Sequence, residues 1–190
     1  MTMEKSTERE LKMEPTDHAL TVWGMGCQIL GRAVQNQHYL PPAEIVRGVY
    51  LGVELGEDVT LQSDPKGAYR IRQEDDSYFF TIKARTGQDS LEASETTFVI
   101  SEAQFYSLYT FRTGSVLKER FSCTGPDGFR WDVDHYLEWT GGKIDRWLIE
   151  VQEPTEGYVP PEGFKRATGD RARLLKAFNI AHKGWPPDEL

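Results

Sequence analysis

Apolar and polar residues alternate along most of this chain in short runs broken by turn residues. The strand-like runs are 20–34, 46–54, 68–74, 77–85, 92–100, 115–123, 129–138 and 146–153, rich in Val, Ile, Tyr, Phe, Trp and Thr. Their separators include Pro41-Pro42, Asp64-Pro65-Lys66-Gly67, Gly125-Pro126-Asp127-Gly128 and Gly141-Gly142. These pair a proline-fixed φ with a position open to the left-handed region, as turns require. Asp75-Asp76 predicts a tight hairpin. Ser101, with Glu102 and Gln104 behind it, predicts a capped helix whose Phe105, Leu108 and Tyr109 form one face. Thr168 opens a second helical pattern through Leu174, Leu175, Phe178 and Ala181, and a short helix near 41–45 is a further candidate. Residues 1–18 show no apolar pattern and read as a flexible arm before a single domain over 19–190. Eight closely spaced strands predict a mainly β (α+β) fold: an eight-stranded antiparallel barrel or tunnel with helices packed outside.

Charge follows the same period of two. Arg70 and Arg72 share a strand face, as do Thr81 and Lys83, Lys118 and Arg120, Asp132 and Asp134, and Glu150 and Gln152. One face of strand after strand is thus charged with both signs, while the other is apolar and needs covering. A solvated outer face explains any one strand. The recurrence fits better a polar interior in which cations and acids pair with each other or with ions.

Composition narrows the partners. A net charge of −8 disfavours a nucleic-acid surface but permits a small anion held by cations gathered in a cleft. No apolar run is long enough to span a bilayer, and the charged first residues lack a secretory h-region, so a cytoplasmic protein without membrane contact is expected. Cys27 and Cys123 form no CxxC pair and read as reduced. His18, His38, His135 and His182 are scattered, and no Gly-rich phosphate loop or HExxH occurs.

The order of these motifs resembles the CYTH family, the triphosphate tunnel metalloenzymes. The resemblance is carried by Val46 to Leu51, Arg70-Ile71-Arg72, Thr81-Ile82-Lys83, Glu95 before the Ser101 helix, Lys118-Glu119-Arg120-Phe121, Trp131-Asp132-Val133-Asp134, Glu150-Val151-Gln152 and Thr168-Gly169-Asp170. It implies that Arg70, Arg72, Lys83, Lys118 and Arg120 line a tunnel and hold phosphate oxygens, with Lys165 and Arg166 at its mouth. It also implies metal-ligating positions at Glu95, Asp134 and Glu150, Glu150 foremost, and at Gln152, which stands where a second acid is expected. The family's N-terminal ExExK strand finds its nearest counterpart in Cys27 to Val34, which holds no glutamate and only Arg32 in place of the lysine. A divergent member lacking these acids would keep its grip on the anion and lose metal chemistry. Two functions fit. One is a module, monomeric or homodimeric, that binds a phosphorylated small molecule with weak or no hydrolysis, Mg2+ or Mn2+ not being required. The other is an active Mg2+- or Mn2+-dependent triphosphatase. Cyclase activity has the least support, since nothing reads adenine.

Overall fold

A computed structural model describes residues 3–17, 20–41, 68–85 and 92–188. The described strands are β1 (Met3–Pro15), β2 (Gln28–Leu40), β3 (Ala68–Glu74), β4 (Ser77–Arg85), β5 (Glu92–Ile100), β6 (Gly114–Thr124), β7 (Arg130–Trp139), β8 (Gly142–Gln152) and β9 (Phe164–Arg166). The helices are α1 (Glu102–Tyr109), α2 (Gly169–Leu174) and α3 (Ala177–Lys183). The expected β-rich antiparallel class holds, and β3, β4 and β5 have the expected bounds. The run 46–54 and the helix near 41–45 lie outside the described residues.

The strand order is β5-β4-β3-β2-β6-β7-β8-β1-β9, and β5 also pairs with β1. Met3 to Arg9 of β1 pair with β5, and Glu10 to Met13 pair with β8. One strand therefore serves two neighbours at different heights. This corrects the reading of residues 1–18 as a flexible arm, because most of that segment is a central element of the sheet. β2 also starts and ends later than the run 20–34, and a bulge between Ile29 and Gly31 shifts its register on β6.

The two faces of the sheet divide by chemistry. On the apolar face, Tyr69, Ile71, Phe80, Phe98 and Ile100 pack under Phe105 and Leu108 of α1. That helix has the expected capping box: the Gln104 amide donates to Ser101 Oγ at 3.2 Å, and the Ser101 amide donates to Gln104 Oε1 at 2.8 Å. Farther round the same face, Leu11, Met13, Cys123, Trp131, Val133, Ile149 and Val151 pack beneath Val22, Met25 and Tyr158. The hairpin at Asp75-Asp76 forms as expected, with Asp75 at φ 49°.

The other face carries the charge. It ends in an apolar layer of Tyr39, Val116, Tyr136 and Leu148, sealed by Ala167, Leu175, Ile180 and Ala181. The single helix expected after Thr168 is two short ones, and the Thr168 side chain makes no capping hydrogen bond. Among the described residues no helix is long and apolar enough to cross a membrane.

Candidate functional site

The alternation of β1, β3, β4, β5, β6, β7 and β8 brings a set of ionisable side chains together on the charged face. Six cations (Lys12, Arg70, Arg72, Lys83, Lys118 and Arg120) pair there with six carboxylates (Glu10, Glu74, Glu95, Asp132, Asp134 and Glu150). Asp134 is fully buried and Lys118 is 3% exposed. Unpaired, either charge would be very costly there; paired, the set is formally neutral.

Asp134 organises one half. Its Oδ1 accepts from Arg120 Nε at 2.6 Å, and its Oδ2 accepts from Arg120 at 2.7 Å and from Lys118 at 2.5 Å. Arg120 also donates to Asp132 at 3.1 Å and to Glu150 at 2.8 Å, and Glu150 accepts from Lys12 as well. Gln152 and Ser122 donate to Asp132 at 3.2 and 2.9 Å. In the other half Glu95 accepts from Arg70 at 2.7 Å, and Lys83 lies 3.3 Å from Glu95 and 3.8 Å from Glu10. Arg72 lies 3.2 Å from Glu74, which also accepts from Gln35, and Gln35 accepts from Gln37.

The electrostatics follow from burial and crowding. Burial opposes the charge on Glu95, yet Arg70, Lys83 and Arg72 hold its pKa at about 2. Burial likewise opposes ionisation of Asp134, but Arg120 and Lys118 keep it far below the usual carboxylate range. Glu10 is lowered too, with Lys12, Lys83 and Arg120 outweighing burial. Among the cations, burial and the neighbouring Arg120 bring Lys118 down to about 7 against the pull of Asp134. Burial brings Lys12 down to about 8 despite Glu10. Two lysines therefore titrate within reach of neutral pH.

Of the residues singled out in the sequence, Arg70, Arg72, Lys83, Lys118, Arg120, Glu95, Asp134, Glu150 and Gln152 come together here. Arg32 does not. The inward positions of β2 are Gln35 and Gln37, across from Lys118 and Arg72, and Arg32 falls on the opposite parity. Its exposed side chain pairs with Glu119 and lies over Phe121. Lys165 and Arg166 are exposed on β9, beside Glu14 and Met13, and join none of these ion pairs. Asp134 is placed as the partner of two cations, its oxygens already engaged.

The sequence reading missed Glu10 and Lys12. With Glu8 they spell Glu8-Arg9-Glu10-Leu11-Lys12, the ExExK spacing sought at Cys27 to Val34. They occupy alternate positions of β1, with Glu10 opposite Gln152 and Lys12 opposite Glu150. Val46 to Leu51, which also carried the resemblance, lies outside the described residues.

The fold so built is shared with solved structures. The inorganic triphosphatase NE1496 is similar at 20% identity over 94% of this chain and 97% of its own, with a TM-score of 0.54. A Hippeastrum protein, HpAC1, described as having a dominant triphosphatase activity, matches at 13% identity over 95% and 98%, with a TM-score of 0.56. A Bacillus halodurans protein provisionally assigned as an adenylate cyclase matches at 15% identity over 90% and 99%, with a TM-score of 0.51. No protein-family model matches the chain, and no curated protein matches it significantly. Fold and site together define a β-rich, mainly antiparallel protein with a charged, buried sheet face, and its fold is the one these solved structures share.

Proposed function

We propose that this chain binds a triphosphate-type anion on its charged face and hydrolyses it with the help of Mg2+ or Mn2+. The observation that carries this reading is the Glu8-x-Glu10-x-Lys12 spacing on β1, the strand hydrogen-bonded to the one that bears Glu150. The triphosphatases among the structures of the same fold support it.

Arg70, Arg72, Lys83, Lys118 and Arg120 supply the grip. Arginine offers a two-pronged fork to phosphate oxygens, and lysine a compact point charge. Their carboxylate partners hold them in place before the ligand arrives, so little ordering remains to be done on binding. Asp134 holds the Nε–Nη2 edge of Arg120, which fixes the direction in which Nη1 projects.

The donor set fits a hard divalent cation in kind, since Glu10, Glu150 and Asp132 offer carboxylate oxygens. In this structure those oxygens turn to Lys12, Lys83 and Arg120, and among the described residues no three acidic, His or Cys groups converge as a metal cluster. Glu10 and Glu150, with Glu8 two positions before Glu10, are the residues that would hold the ion. When bound it would neutralise phosphate oxygens and lower the pKa of a bound water. Glu8 and Glu10 supply the acids whose absence from Cys27 to Val34 favours binding without turnover, while Gln152 and Thr97 stand in place of expected acids.

The experiment is phosphate release from tripolyphosphate and ATP with Mg2+, Mn2+ or EDTA. Metal-dependent release is expected, with Glu10→Gln and Glu150→Gln each lowering kcat roughly 100-fold. Tight calorimetric binding of tripolyphosphate with no release under any metal would overturn hydrolysis and leave a binding protein.

A further inference from the structure

The chain's two cysteines lie together on the apolar face, away from the ion pairs. Cys123 belongs to β6 and is fully buried among Val22, Met25, Trp131 and Val151. Cys27 stands just before β2, half-buried, and packs against the same cluster. The register brings the two close. Ile29 pairs with Cys123, and Cys27 is two positions ahead of Ile29, the spacing that puts side chains on one face. Both cysteines are free, and their thiols are in hydrogen-bonding contact.

The pair is asymmetric. The Cys123 thiol donates to the Cys27 sulfur, which stabilises the Cys27 thiolate and lowers its pKa against the opposing effects of burial and Asp127. The same contact, with burial, raises Cys123 far above the ordinary thiol range. Thiolates are the nucleophiles, so Cys27 is the reactive member and also the one at the surface. A surface thiol of lowered pKa beside a second thiol is the arrangement that peroxide oxidises selectively. Gly26, at φ 71°, directly precedes Cys27 and gives it room to close on Cys123 without moving Ile29.

We propose that Cys27 and Cys123 are a peroxide-sensitive pair, in which Cys27 is oxidised first and Cys123 resolves it to an intramolecular disulfide. The Cys27 thiolate attacks one oxygen of hydrogen peroxide and the O–O bond breaks. This gives a sulfenic acid and hydroxide, which leaves as water with the proton Cys27 had shed. The Cys123 sulfur then displaces the hydroxyl from Cys27, and its own proton departs with that hydroxyl as a second water. Two thiols lose two electrons and one peroxide gains them. The bond would tie the segment bearing Val22 and Met25, which covers the apolar face, to β6.

The test is peptide mapping of the full chain without reductant, after hydrogen peroxide treatment and alkylation of the remaining thiols. A Cys27–Cys123 cross-linked peptide is expected, with both thiols lost together and both restored by dithiothreitol. The oxidised protein should melt roughly 5 °C higher. Cys27→Ser should slow oxidation of Cys123 at least about tenfold. Cys123→Ser should leave Cys27 as a sulfenic acid that dimedone traps. Cys123 is a core residue, so the native map and Cys27→Ser carry the test if that last variant does not fold. The proposal fails if both thiols survive millimolar peroxide, or if the disulfides formed link separate chains. It fails equally if Cys123 is oxidised as fast in Cys27→Ser as in the native protein.

Discussion

Lys118 and Lys12 are the residues whose charge state is most open to the ligand. Burial leaves them near pKa 7 and 8, so above about pH 8 both ammonium groups are largely neutral in the free protein. A bound polyphosphate favours their charged forms and raises both pKa values. Protons are then taken up on binding, and by linkage affinity falls as pH rises through that window. Calorimetry of tripolyphosphate at pH 8 in buffers of different ionisation heat should show net proton uptake, reduced in Lys118→Met. Proton release, or uptake unchanged in that variant, would contradict this assignment. None of this was readable from sequence, which gave Lys118 its face through the Lys118-x-Arg120 spacing but not the burial that shifts it. Arg32 shows the opposite error: a cation at a plausible position whose parity on β2 left it outside.

At the scale of elements, β6 and β7 are joined across the charged face by Asp134, which engages Lys118 and Arg120 at once. Replacing it with Asn keeps the shape but leaves two buried cations short of their counter-charge. Asp134→Asn should cost about 3–5 kcal/mol in urea unfolding. A loss under 1 kcal/mol would mean the cations find other partners. The strands legible in the sequence, β3 to β8, share an alternation in which one face is apolar and is bounded by turn residues. β1 escaped because its pattern is written in charge: Glu4, Ser6, Glu8, Glu10 and Lys12 alternate with Lys5, Thr7 and Arg9, and after Met3 apolar residues enter only at Leu11 and Met13. Where charged and polar residues fill both alternating sets of positions, hydropathy carries no period to detect. The C-terminal helices were half legible, since their apolar spacing was visible and the break between them at Leu175 and Lys176 was not.

For the molecule as a whole, β1 decides whether the sheet holds together, because its two halves serve β5 and β8. Deleting residues 2–13 separates the two descriptions of this segment. Loss of a flexible arm would leave the thermal transition where it was. Loss of β1 removes both ladders, Leu11 and Met13 from the core and Lys12 from Glu150, so no cooperative transition is expected by calorimetry. A preserved transition in the truncated chain would restore the arm.

The placement of β1 also bears on how the protein is made. During synthesis this strand leaves the ribosome well before Glu92–Ile100, and longer still before Gly142–Gln152 and Phe164–Arg166. Throughout that interval its backbone donors and acceptors have no native ladder to join, because every strand it will pair with is distant in sequence. Its charged side chains, four acids and three bases between Glu4 and Glu14, then serve a second purpose: their hydration keeps a waiting edge from pairing with other nascent chains. The charge that hid this strand from a hydropathy reading also keeps it soluble until its neighbours exist.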